Sequence, residues 1–237
     1  MIERIVLNIP HSSAEFPEGC KKRWEDGVDE HIRRWTDWET DRLFGDALLT
    51  DSRIRPVVFP WSRFFCDVER LENDPLESIG QGIVYSEFGG VRRSLTSEER
   101  DDIFIRYYLE HREAVARELS PSSFLIDCHS FPEDLSDVEV CVGVNDDWSR
   151  PDESLLRKVM RLFEESGYVT ALNSPYSNSY SPCTAFEYPA MMLELNKSTY
   201  LRADGSVDSA KSERLKAAIG RVYDLILDGK EEEFSRF

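Results

Sequence analysis

Four histidines occur in this chain, and two of them stand directly behind apolar, strand-like runs. His11 closes LNIPHSS, and His129 closes the apolar stretch in SFLIDCHSF. An imidazole in such a place is either a satisfied polar group ending a core strand or a metal ligand at a sheet edge. Two at matching positions bring the shared-site reading level with the plain one, because the neutral ring is a common ligand for a divalent cation. A hydrolytic metal site also wants a carboxylate ligand and one position left for water. The stretch RWTDWETDRLF offers Asp37, Glu39 and Asp41. At helical spacing Asp37 and Asp41 share a face with Phe44 and Leu48, so that face should meet the core, whereas Glu39 points towards Arg42 and Trp35. The plain alternative is that Asp37 caps the helix. Glu15, four residues after His11, is a further candidate in a loop-like segment.

A second carboxylate stands out. Glu194 sits inside MMLELNKSTY, a run that reads as a buried strand. A buried carboxylate is costly unless it is paired, bound to a metal or protonated. Glu194 is therefore either the partner of Lys197 or an arginine, or a general base whose pKa burial lifts towards neutral. Beside a metal-activated water it could take the water's proton and pass it to a leaving amine. Arg63 and Arg70, in WSRFFCDVER, follow another strand candidate and suit an acidic substrate, since guanidinium pairs bidentately with carboxylate. Pairing with the neighbouring Asp67 and Glu69 is the bland alternative. Arg92 and Arg93 form a second basic cluster. Cys128 next to His129 is no catalytic dyad, because adjacent strand residues face opposite ways. The same alternation puts Asp127 on the face of His129, where it could support the site. His31 reads as a solvated helix residue, and the spacing leaves His111 open.

These residues need elements to hold them. Apolar runs predict strands over residues 5–9, 56–59, 124–128, 138–144, 169–172 and 191–195, several of them continuous enough to be covered on both faces. Helical patterns lie at 30–49, 97–118, 153–165 and 209–227, with a capping box at Thr96 and Glu99. The alternation predicts an α/β sandwich with a mostly parallel or mixed central sheet, whose reactive groups gather at strand carboxyl ends. Residues 71–93, with four glycines and little periodicity, predict a long functional loop. The 237 residues suit a single domain, 1–237, with no internal repeat. A net charge of −17 argues against nucleic acid or an anionic membrane as partner. No run is long and apolar enough to span a bilayer. The N-terminus lacks a secretory pattern and the five cysteines are scattered, so the expectation is a cytoplasmic protein with reduced thiols.

The order IPHSS, TDWETDRLF, SRFFCDVER, DCHS, NSPY and LELNKSTY resembles the motif string of the N-formylglutamate amidohydrolase family over roughly residues 9 to 200. That family looks related to zinc carboxypeptidases. The resemblance implies a three-layer α/β/α, phosphorylase/hydrolase-like fold and metal-assisted hydrolysis of an N-acyl amino acid. Carried over by position, it implies His11, Asp37 and His129 around one divalent metal, zinc, with Glu194 as base. Arg63 and Arg70 would meet substrate carboxylates, and Asn173 and Tyr176 would line the pocket. The chain departs from the family where Glu39 replaces a histidine, and where DVER replaces a DLNR-like sequence and adds the charge of Glu69 beside the arginines. The expected partner is a small acidic substrate, with homo-oligomerisation left open. A peptidase trimming small or cell-wall peptides, and an inactive member binding an acidic ligand, are the competing readings.

Overall fold

In the computed structural model, residues 1–47 and 51–229 are described. Eight strands run in chain order: β1 (Arg4–Ile9), β2 (Ile54–Val58), β3 (Glu87–Phe88), β4 (Val91–Arg92), β5 (Ser123–Phe131), β6 (Val140–Gly143), β7 (Thr170–Leu172) and β8 (Ala190–Asn196). All but β3 and β4 form one six-stranded sheet in the order β2-β1-β5-β8-β6-β7. Only β6 against β8 is antiparallel among the main pairings, so the sheet is mixed, as the sequence predicts. All nine residues of β5 and all seven of β8 are buried. Their long apolar runs, broken at Asp127, His129 and Glu194, are what central strands covered on both faces require.

Helices cover both faces. On one side α2 (Thr40–Gly45), α5 (Glu153–Glu165) and α6 (Ser209–Asp228) join a core that includes Ile126, Cys128 and Leu193. On the other, α4 (Leu109–Glu118) brings Val115 against Val6 and Leu125. Ahead of α4 lie α3 (Ser97–Ile103) and one wider turn, Phe104–Tyr108, and the capping box at Thr96 is formed as expected. No helix among the described residues is long and apolar enough to cross a membrane.

The pattern over 30–49 needs correction. It breaks into α1 (Val28–Trp35) and α2, and residues 48 and 49 lie outside the described residues. Thr36 Oγ1 donates to the Ile32 carbonyl and Thr40 Oγ1 to that of Asp37, both at 2.8 Å. Thr36 turns extended, and Glu39 adopts a left-handed conformation (φ 63°). Hydroxyl side chains that compete for backbone carbonyls in this way favour helix ends over helix interiors. Asp37 therefore sits in the break, with its own N–H donating to the carbonyl of His11 at 2.9 Å. Asp41, expected to face inward with it, is only half-buried.

The loop over 71–93 is mostly irregular, as predicted, but folds back on itself through the β3–β4 hairpin. Gly89 in that turn has φ +56°, and a Cβ there would stand 2.4 Å from the His31 ring, so both backbone and space demand glycine. His31 is accordingly not free in solvent: its ring packs edge-on against Phe88 at 5.2 Å.

Cys128 is fully buried with its Sγ towards the Ile126 carbonyl, on the sheet face away from His129. Cys128→Ala should cost about 1 kcal/mol of unfolding free energy, the scale of one small buried group. Any hydrolytic turnover should be unchanged. Chemical denaturation and a turnover assay on the same preparation check both, and lost turnover in a folded variant would return the thiol to the chemistry.

Candidate active site

The sheet register builds the site. β5 and β8 pair so that His129 lies opposite Glu194, and β1 pairs with β5 so that Asn8 lies opposite Asp127. Register partners share a face, so Asn8, Asp127, His129 and Glu194 all project to one side. His11 comes two residues after β1, and Asp37 is tied to it through the backbone bond described above. The rings of His11 and His129 lie with centroids 5.2 Å apart. His11, His129 and Asp37 are 1%, 2% and 3% exposed.

A buried carboxylate stands at the ε nitrogen of each imidazole, hydrogen-bonded to His11 and at ion-pair distance from His129. His11 Nε2 is 2.8 Å from Asp67 Oδ1, and His129 Nε2 is 3.1 Å from Asp127 Oδ1. The δ nitrogens both face Asp37: its Oδ2 is 3.2 Å from His129 Nδ1 and 3.8 Å from His11 Nδ1. A histidine whose outer nitrogen is fixed by a carboxylate is oriented to offer the other nitrogen to a metal. His11 Nδ1 and His129 Nε2 have no hydrogen-bond partner, although both are buried. A buried, oriented and unpartnered ring nitrogen beside a carboxylate fits a divalent cation.

Glu69 enters the same space. Its carboxylate oxygens stand 3.8 Å from His11 Nδ1 and 3.5 Å from His129 Nε2, and His11, Glu69 and His129 can together present ligand atoms within 4.8 Å of one another. Of the other carboxylates considered from sequence, Glu39 pairs with Arg42 at 3.1 Å, and Glu15 is exposed with no place in the cavity wall.

Charge follows geometry. Burial opposes ionisation of Asp37, but the two imidazoles outweigh it and hold its carboxyl well below the usual carboxylate range. Burial would neutralise His129, but Glu69, Asp127 and Asp37 outweigh it and raise its pKa well above the usual value. Burial pushes Glu194 up to about 8; His129 opposes the rise, and the charges of Asp37 and Glu69 add to it. Glu194 Oε2 has no hydrogen-bond partner, and Lys197 donates instead to the carbonyl of Arg34 at 2.6 Å. The pairing of Glu194 with Lys197 is thus replaced by a carboxyl facing the cavity.

That cavity, about 380 Å³, is lined by Asp37, Glu69, His129 and Glu194 and by Arg63, Arg70 and Tyr176. Arg63 and Arg70 both reach Asp67 Oδ2, at 2.9 and 3.4 Å. Two guanidiniums share one carboxylate, and Arg70 Nε is buried without a hydrogen-bond partner. Asn173 is elsewhere. It is exposed, bends the chain after β7 with φ 55°, and accepts from the N–H of Val144 at 2.8 Å. Its polar side chain is spent on that turn. His111 supports the site from behind, its Nε2 2.9 Å from Asn8 Oδ1, while Asn8 Nδ2 donates to Asp127 Oδ1 at 2.8 Å. Burial lowers the pKa of His111 to about 4, leaving it a neutral donor in that chain.

The model of the N-formylglutamate amidohydrolase family matches residues 3–201. The chain belongs to that family. The N-formylglutamate amidohydrolase of Ralstonia eutropha JMP134 shares the fold, with a TM-score of 0.80 at 18% identity over 97% of this chain and 96% of that one. A gene product of Agrobacterium tumefaciens superposes with a TM-score of 0.72 at 13% identity, over 96% and 91% of the two chains. No curated relative matches the chain. The sequence reading singled out the histidines, Asp37, Glu194 and the arginines, and its plain alternative of Asp67 as a partner of the arginines is what the structure shows. It missed Asp67 as the carboxylate at His11 and Glu69 as a neighbour of both rings. The available signal was a charge inside an apolar run, since Asp67 is fully buried between Cys66 and Val68.

Two outcomes follow from this geometry. Asp127→Asn should weaken divalent-metal affinity about 10–100-fold, as loss of a carboxylate behind a ligand does; chelator competition measures it. In metal-free protein, the raised pKa of Glu194 contributes stability that is fully present below its ordinary 4.5 and is lost as pH rises through about 8. Glu194→Gln should therefore remove part of the fall in stability between pH 5 and pH 8, which denaturation of chelator-treated protein at both pH values tests.

Proposed function

We propose that this family member is a metal-dependent amidohydrolase that cleaves the amide bond of an N-acyl amino acid. The observation that supports this most is Glu194: a buried carboxyl, opposite His129 in the sheet, with an unpartnered oxygen at a cavity wall that also holds two guanidiniums. His11, Asp37 and His129 are the residues that would hold the cation, with Asp67 and Asp127 fixing the rings. Two imidazoles and a carboxylate suit zinc, which would polarise the acyl oxygen and lower the pKa of the attacking water.

The rest of the chemistry belongs to the chain. Glu194 accepts the proton of the attacking water and returns it to the leaving amine, a role that needs a carboxyl able to exist in both states near neutral pH. A cation held beside neutral His129 would draw Glu194 towards its ionised form. Arg63 and Arg70 bring two guanidiniums to the cavity wall, groups that pair bidentately with a substrate carboxylate. Holding that carboxylate fixes the acyl carbon relative to Glu194, and orientation of this kind can contribute several kcal/mol to lowering the barrier. Tyr176, packed edge-on against Phe131 at 5.9 Å, closes the wall beside them. The five cysteines are all unpaired, which accords with a reducing, cytoplasmic setting.

Glu194→Gln should lower kcat by about 10²–10⁴-fold while metal content stays stoichiometric. Turnover that survives the change would take Glu194 out of the base role. A panel of N-formyl, N-acetyl and N-succinyl amino acids set against dipeptides and muramyl peptides should show cleavage confined to the acyl amino acids. Faster cleavage of the peptides would make the chain a peptidase instead.

A further inference from the structure

Glu69 is hard to account for as part of an arginine clamp. Its neighbour Arg70 reaches Asp67 and Asp74, at 3.4 and 3.7 Å, while the Glu69 carboxylate approaches both imidazoles. Its backbone N–H points back at Asp67 Oδ1, 3.3 Å away, so the carboxylate that orients His11 also fixes the start of the Glu69 side chain. Two donors bound to one cation at about 2.1 Å can stand no more than about 4.2 Å apart. The distances that bear on one shared cation are those to His11 Nδ1, 3.8 Å from Asp37 Oδ2 and 3.8 Å from Glu69 Oε2, both inside that limit. His129 offers the cation only one of its nitrogens, Nδ1 at 3.2 Å from Asp37 or Nε2 at 3.5 Å from Glu69. Asp37 meets His129 at Nδ1 and Glu69 meets it at Nε2, so the atom the two carboxylates share is His11 Nδ1. That nitrogen is buried and unpartnered, 3.8 Å from a carboxylate oxygen on either side.

The geometry points to Glu69 as a fourth protein ligand, which makes the centre a set of two histidines and two carboxylates rather than two histidines and one. This rests on the metal-dependent reading proposed above and deepens it. Four protein donors fill a tetrahedral shell, so a cation that still reacts here must accept five or more ligands. The second carboxylate makes the site harder and more anionic, which favours cations such as Mn²⁺ and Co²⁺ relative to a two-histidine, one-carboxylate centre. Glu69 retains 28% side-chain exposure, against 4% for Asp37, so it is the ligand on the cavity side and the one a substrate would meet.

The test uses the full chain, stripped with chelator and titrated separately with Zn²⁺, Co²⁺ and Mn²⁺ against a chromophoric competitor, for the unaltered protein, Glu69→Gln and the shorter Glu69→Asn. Thermal melts of the metal-free proteins confirm folding, which a partly exposed position should tolerate. Both variants should lose more than the 10–100-fold in affinity that a group outside the coordination shell costs, and Mn²⁺ should suffer more than Zn²⁺. The visible bands of the Co²⁺ protein should intensify in the variants, since a shell of fewer ligands absorbs more strongly. If the unaltered chain binds a stoichiometric cation and the variants bind it equally with the same Co²⁺ spectrum, Glu69 is not a ligand, and the metal-dependent reading stands without it. If the unaltered chain binds none of the three cations, both fall.

Discussion

Asp67 is the carboxylate on which the cavity depends. It is fully buried, and it receives His11 Nε2, the guanidiniums of Arg63 and Arg70, and the hydroxyl of Tyr85. Burial alone would keep it protonated, yet Arg63 and then His11 hold it ionised, well below the ordinary range. One anion thus fixes the tautomer of a histidine and the positions of two arginines that arrive from its own segment. The segment is itself anchored, because the N–H of Ser62 donates to the carbonyl of Glu15 at 2.7 Å and that of Asp67 to the carbonyl of Ile83 at 2.8 Å. A buried charge with partners on every side is strongly destabilising to break, since removing one partner strands the others.

Around that anchor the cavity carries an excess of negative charge. Asp37, Glu69, Asp127 and Glu194 converge on two imidazoles, and of these only Asp127 has neutral hydrogen-bond donors of its own, from Asn8 Nδ2 and the N–H of Tyr180. The protein answers this locally by raising the pKa of His129 and of Glu194, which takes up protons where cations are lacking. A divalent cation bound there would displace those protons, which would couple its affinity to pH. The chain carries a net charge of −17, and at the cavity wall it places the guanidiniums of Arg63 and Arg70.

Much of this was legible in the sequence, for reasons that differ from residue to residue. His11 and Glu194 were readable because a polar residue in or just after an apolar run contradicts its surroundings. Cys128 could be set aside because strand alternation is strictly local. The helix α5 was legible to its ends because its apolar period runs uninterrupted over Glu153–Glu165. Asp37 was found by an argument about a helix face that the fold does not contain. It reaches the histidines because two threonines end the helix around it, a competition between side-chain and main-chain hydrogen bonds that spacing alone does not weigh. Asn173 carried a motif but not the chemistry, since its side chain closes a turn.

The sequence by itself determined the layers, the sheet's central strands and the two histidines, because periodicity and strand ends are properties of neighbouring residues. Only the tertiary structure decided what surrounds those histidines. Asp67 meets a ring 56 positions away and Asp37 one 92 away. Such pairings follow from strand order and from where irregular loops return to the sheet. Neither leaves a local trace, and so the swing of Glu69 from the arginines towards the imidazoles could be seen only once the chain was folded.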